Sequence, residues 1–298
     1  MGFRLFLVFE KFLMLLPRWL RKAVFTTLAT LAYYFSKKYR GVGFINLDFV
    51  FGDKLSQEEK KKIVKYSFRN LLLNFLQLLE FRHISKDDIS KKVHINNKHI
   101  IDNIKAQGRA IVFVTPHFGA WELGGVAMGV LSDDNISAVY KEMDNKDFER
   151  WTIDARGSFG NKSIEKKGAL KALVKLTKNK ESCAILIDTA LNEKDGVLVE
   201  FLGKKVYQSP VPAYLARKFD AAIVPAVLFS EDEQNYELMV YDEIVVNRTE
   251  DEKQDILDAT QLQANWMSEI IINNPKYWFW IHRRFKSEYK EIYKKIGR

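Results

Sequence analysis

Cysteine is nearly absent: Cys183 is the only one in 298 residues. That excludes an internal disulfide and any zinc site built on several thiolates. Proline and glycine are sparse, at 6 and 15, so collagen-like and linker-rich architectures are out, and no Pro/Gly/Ser tract marks a domain boundary. No long apolar run is present either. The longest charge-free stretch, Ala23–Ser36, carries Thr26, Thr27 and Thr30 and falls short of the ~20 apolar residues a spanning helix needs. Glu10 and Lys11 break the apolar start and no small-x-small cleavage site follows, so the secretory-signal pattern fails. Phe6 stands where a myristoylation signal needs Ser or Thr.

The residues that are there describe a globular chain: 47% are apolar and 29% charged. The length allows one large domain or two ordinary ones. The net charge of +9 is unevenly spread. Residues 1–70 hold 14 Lys/Arg against 5 Asp/Glu, and residues 276–298 hold 8 against 2, leaving an acidic middle. Basic ends of this kind suit an anionic surface, phospholipid or nucleic acid, or an acidic protein. In residues 3–35, rich in Phe and Leu, helical phase puts Arg4, Lys11, Arg18 and Lys22 on one narrow stripe. The expectation is a helix in the lipid interface, cations toward the headgroups and kinked at Pro17, with residues 1–36 a membrane-associated segment and 37–298 a single α/β body. Packing on the protein's own core is the other reading of the same stripe.

Ser56 with Glu59 predicts a capping box opening a helix over 56–82, and 97–107 reads as a helix stopped by Gly108. From there, apolar β-branched runs alternate with helical periodicity. Strands are expected at Ala110–Thr115, Ile136–Tyr140, Lys162–Glu165, Cys183–Asp188, Val197–Phe201, Ala221–Leu228 (interrupted by Pro225) and Tyr236–Val246, the last either one long strand or a pair. Helices are expected over 119–131, 145–157, 168–179, 210–218 and 252–272. The alternation implies an α/β sheet covered by helices, with the N-terminal ~105 residues forming a helical layer on one side.

Chemistry concentrates after the first buried strand. His117 lies two residues past Thr115, where ligands bind in open α/β sheets. Pro116 disfavours helical geometry at Thr115, so the chain turns there. On a regular helix His117 and Glu122 would stand ~140° apart, so they meet only if His117 precedes the helix and folds back over its first turn. A carboxylate on one imidazole nitrogen would leave the other free to deprotonate a hydroxyl. Residue types alone leave a second reading open, a histidine hydrogen-bonded to a helix start in a structural role. Gly157-Ser158-Phe159-Gly160 does not match the serine-hydrolase G-x-S-x-G elbow.

Several blocks, in order, resemble the bacterial lipid A biosynthesis (late) acyltransferase family: Asn46-Leu47 with Phe51; Thr115–Glu122; Arg156 with Phe159-Gly160 and Lys167–Leu170; Ile187-Asp188; Gly196-Val197 with Phe201–Gly203; Pro225; and Trp278–Lys286. The resemblance implies a glycerol-3-phosphate-acyltransferase-like sandwich, a mixed, mostly parallel sheet flanked by helices. It implies transfer of a fatty acyl group from acyl carrier protein to a hydroxyl of a lipid A precursor, at the cytoplasmic face of the inner membrane. His117 would be the general base and Glu122 its partner. Arg156, Asp188, Gly203 and Arg283 would contact substrate. The partners implied are acyl carrier protein, a glycolipid acceptor and an anionic membrane surface, with no nucleic acid, no cofactor and no metal. Another membrane glycolipid as acceptor, or a non-catalytic membrane-binding protein, are the rival readings.

Overall fold

A computed structural model describes residues 2–294 and 296. Three helices open the chain: α1 (Gly2–Leu15), α2 (Arg18–Phe35) and α3 (Lys37–Phe51). The long helix α4 (Gln57–Phe81) follows, opened by the expected Ser56/Glu59 capping box. Then come α5 (Lys86–Lys92), strand β1 (Val93–Asn96) and α6 (Lys98–Ala106). The α/β body continues with β2 (Ile111–Thr115), α7 (Trp121–Leu131), β3 (Ser137–Tyr140), α8 (Lys146–Arg156) and β4 (Lys162–Glu165). After α9 (Ala169–Lys178) and β5 (Cys183–Leu186), a hairpin forms from β6 (Val197–Phe201) and β7 (Lys204–Gln208). The last elements are α10 (Val211–Phe219), β8 (Ala222–Phe229), β9 (Tyr236–Val240) and α11 (Glu252–Asn273), before a C-terminal segment of short turns.

Seven strands form one sheet in the order β1-β9-β8-β2-β5-β3-β4, parallel at every pairing except β8–β9. β6 and β7 make a separate antiparallel pair. Period-two alternation divides the core between the two faces. From β2, Ile111 and Phe113 pack with α6, α7 and Trp151 of α8, whereas Val112 and Val114 pack with α9, α10, α11 and the C-terminal tryptophans. A strand buried on both faces reads as an unbroken apolar run, which is why this one was visible in sequence.

The structure corrects three expectations. The first ~105 residues are not wholly helical, because β1 joins the sheet beside β9. Pro225 does not interrupt β8, which runs from Ala222 to Phe229. Only the second half of the N-terminal cation stripe, Arg18 and Lys22, turns inward. Pro17 separates α1 from α2, Arg18 and Arg21 reach Glu80 at 3.6 and 3.2 Å, and Lys22 reaches Glu233 at 2.7 Å. Glu10, 3% exposed, takes hydrogen bonds from Arg82 and Trp151 and touches His83. Beside a buried acid each attraction is stronger than in bulk water, which offsets the cost of desolvating the charges. Leu5, Phe12, Leu15, Trp19 and Phe35 are left facing outward, while Arg4 and Lys11 stay at the surface. Among the described residues, no helix is long and apolar enough to cross a membrane.

Candidate active site

The site is a consequence of strand register. In the parallel pair β2–β5, Thr115 stands opposite Leu186, and Ile187 N–H donates to Thr115 O across the strand ends at 3.0 Å. Carried two residues further, that register brings His117 opposite Asp188. The His117 Nδ1 lies 2.8 Å from Asp188 Oδ1, and the His117 backbone N–H donates to Asp188 Oδ2 at 2.9 Å. Asp188 has no solvent exposure, whereas the imidazole is 24% exposed. The carboxylate therefore sits behind the ring. No protein group among the described residues bonds its Nε2.

The turn that carries His117 is held from several sides. Gly119 adopts φ +54°, and a Cβ there would fall 2.2 Å from Leu228 O, so only glycine fits both the left-handed backbone and the close approach. Ala120 N–H donates to Leu228 O at 2.8 Å. From α4, Asn70 and Asn74 donate to Gly119 O at 2.8 and 3.0 Å, and Asn74 Oδ1 accepts Glu122 N–H, satisfying a donor at the start of α7. Trp121 stands edge-on to the imidazole at 5.4 Å, with Phe279 at 6.0 Å.

Glu122 does not occupy the place expected for it. α7 begins at Trp121, so Glu122 lies on its first turn and meets α8. There Arg156 Nε and Nη2 donate to its two oxygens at 2.9 and 2.6 Å. This is a two-point guanidinium–carboxylate pair. The imidazole's carboxylate is Asp188, a residue expected to contact substrate. Glu122 is held away by Arg156, while strand register sets Asp188 beside the ring.

Burial pulls the His117 pKa down, but the charge and hydrogen bond of Asp188 outweigh it, with Glu122 adding and Arg156 opposing, and the net shift is upward. For Asp188 burial pushes the carboxyl up, and the charge and hydrogen bonds of His117 reverse this strongly, so it stays ionised well below the usual carboxylate range. An ionised carboxylate on Nδ1 fixes that proton, leaves Nε2 as acceptor and stabilises the imidazolium when Nε2 takes a proton.

The structure does not bring the remaining expected residues to this point. Gly203, at φ +69°, lies at the β6–β7 turn and lines a cleft with Leu202, Asn265, Ser268 and Ile272. The Arg283 guanidinium stacks over the Tyr293 ring at 5.7 Å. Reasoning from sequence also missed the contacts from behind, made by Asn70, Asn74, Trp278, His282 and Arg284. The signal available for Asp188 was its place at the carboxyl end of an apolar run; the strand expected from sequence runs to Asp188, whereas β5 ends at Leu186, so Asp188 lies two residues past its strand, as His117 does past β2. Among the described residues, no group of three or more His, Cys, Asp or Glu is gathered to hold a metal ion.

Comparison with known proteins gives a consistent picture. A family model described as "Bacterial lipid A biosynthesis acyltransferase" matches residues 1–287. The chain is 26% identical over 270 residues to a lipid A biosynthesis lauroyltransferase of Escherichia coli (strain K12), covering 87% of this chain and 83% of the relative. It is 24% identical over 265 residues to a lipid A biosynthesis palmitoleoyltransferase of the same organism, covering 88% and 83%. A lipid A biosynthesis acyltransferase of Haemophilus influenzae is 20% identical over 250 residues, covering 83% and 75%.

Proposed function

The chain belongs to the bacterial lipid A biosynthesis acyltransferase family, and from that premise we propose that it moves a fatty acyl group from an acyl carrier protein thioester to a hydroxyl of a lipid A precursor, with His117 as general base and Asp188 as its orienting carboxylate. The observation that carries the mechanism is the 2.8 Å contact between His117 Nδ1 and a fully buried Asp188, with the ring's other nitrogen unclaimed. His117 Nε2 accepts the acceptor hydroxyl's proton. The oxygen attacks the thioester carbonyl carbon, the C–S bond breaks, and the proton passes from Nε2 to the departing thiolate. General acid–base help of this kind contributes roughly 10²–10⁴-fold.

Glu122 then acts through Arg156. The pair neutralises both charges beside the imidazole, and Arg156 Nη1, unbonded among the described residues, faces an anionic substrate group such as a phosphate. Residues 37–298 form the catalytic body, a glycerol-3-phosphate-acyltransferase-like sandwich, with Gly203 and Arg283 as outlying substrate contacts. Residues 1–36 lie in the cytoplasmic leaflet of the inner membrane. The outward apolar residues of α1 and α2 support that placement, while their opposite face packs on the body through Leu13 and Phe25 and through the ion pairs of Arg18 and Lys22. The test is acyl transfer from acyl carrier protein to a lipid A precursor by native and His117→Ala proteins. Loss of at least about 100-fold in kcat is expected, and native turnover by the variant would overturn the mechanism.

A further inference from the structure

The carboxylate behind the imidazole is itself held by a segment that the scheme above does not use. Residues 277–279 run beside the catalytic turn. Phe118 and Trp278 form an antiparallel bridge, Gly119 N–H donates to Tyr277 O, and Phe279 N–H donates to His117 O, both at 3.0 Å. This pairing sets the unexposed Trp278 with its indole Nε1–H 2.9 Å from Asp188 Oδ2. The same oxygen accepts the His117 backbone N–H. Further along, His282 Nε2 lies 3.3 Å from Asp188 O, and Arg284 Nη1 donates to Thr189 O and Tyr207 O.

We propose that Trp278 is a positioning residue for acyl transfer: its indole N–H anchors Asp188 Oδ2, so that Oδ1 alone meets the ring and the carboxylate stays weakly basic. The proposal rests on the general-base reading of His117 and Asp188. An indole donates one hydrogen bond and accepts none, so Trp278 can hold the carboxylate but cannot move a proton. With two donors on Oδ2, rotation about the Cβ–Cγ bond would forfeit both bonds at a carboxylate that has no solvent exposure. The positive end of the N–H dipole also favours the ionised carboxylate and opposes a positive charge on the ring.

The other charged and titratable groups facing the pair are Glu122 from α7, Arg156 from α8, and His282 and Arg284 on the C-terminal segment. Glu122 and Arg156 neutralise each other. Burial pulls His282 down toward its neutral form, with Asp188 opposing. It pulls Arg284 down to about 10, which leaves the guanidinium cationic at neutral pH. None of these donates to Oδ2. Among the described residues, Trp278 is the single side-chain donor to that oxygen.

The experiment compares full-length native enzyme, Trp278→Phe and a protein carrying 3-benzothienylalanine at position 278, which replaces the indole N–H by sulfur at nearly constant shape. kcat/KM for transfer to a lipid A precursor is measured between about pH 5 and 9, the range in which an imidazole titrates. Losing the donor makes Asp188 more basic, which stabilises the imidazolium. The acid limb is expected to move about 0.5–1 pH unit higher, the worth of one hydrogen bond, with KM unchanged. The isosteric substitution reports even if Trp278→Phe fails to fold. An acid limb that stays in place in a folded variant, while Asp188→Asn is inactive, overturns this role alone. A fully active Asp188→Asn overturns the general-base reading beneath it.

Discussion

Replacing Asp188 by Asn changes one atom pair and separates the two carboxylates that could serve the imidazole. Two N–H groups converge on Asp188 Oδ2, from His117 and Trp278. In the Asp188→Asn protein the amide oxygen must keep that place, because turning the NH₂ toward two donors would bury three unpaired donors. The NH₂ then faces His117 Nδ1. That nitrogen has to become the acceptor, so the proton moves to Nε2, the atom that should receive the substrate's proton. The ring is held firmly in the wrong tautomer, and kcat should fall roughly 10³–10⁴-fold, about 4–5.5 kcal/mol of barrier. The acid limb should also move to lower pH, since burial now acts on His117 without the opposing carboxylate. Stability gives an independent readout. Asp188 has its pKa lowered from 3.8 and His117 raised from 6.5. The carboxylate's contribution is present above 3.8 and is lost as pH falls through its depressed folded value. The imidazole's contribution is present below 6.5 and is lost as pH rises through its elevated one. The native protein should therefore exceed Asp188→Asn most between those two values, by about 1–3 kcal/mol in urea titrations. Turnover within about threefold of native, with the acid limb in place, would refute the assignment. A larger loss in Glu122→Gln than in Asp188→Asn would return the orienting role to Glu122.

Two further outcomes follow from the same geometry. Gly119→Ala meets both a left-handed φ and a 2.2 Å approach to Leu228 O, so the turn has to shift; a loss of about 3–5 kcal/mol in denaturant unfolding is expected, and a loss below about 1 kcal/mol would show that the turn yields easily. Replacing Leu5, Phe12, Leu15 and Trp19 together by Ser removes only exposed side chains; thermal stability should hold while flotation with phosphatidylglycerol vesicles weakens at least about tenfold, since each buried apolar side chain is worth up to about 1.5–3 kcal/mol, and unchanged flotation would count against membrane contact by this face.

Much of the body was legible because local periodicity survives folding. The run Ala110–Thr115 announces a strand buried on both faces, and β2 is buried along nearly its whole length. Lys162–Glu165 and Val197–Phe201 coincide with β4 and β6. β1 and β7 were missed. Each is short and carries polar residues, His94 and Asn96 in one, Lys204 and Lys205 in the other. Their pairing partners, not their own pattern, make them strands. The N-terminal stripe shows the same limit. Its amphipathic phase was visible in sequence, but its direction was not, because Glu80 and Glu233, the acids that capture Arg18, Arg21 and Lys22, lie far along the chain.

The sequence by itself determined the alternating elements, the turn at Pro116–Gly119 and the presence of His117 just beyond a strand's carboxyl end, since each depends on neighbours within a few residues. Only the tertiary structure decided which acid serves that histidine. Asp188 is 71 residues from His117, and what brings the two within 2.8 Å is the parallel pairing of Thr115 with Leu186. Register between strands is chosen by how whole faces pack, which no local spacing encodes.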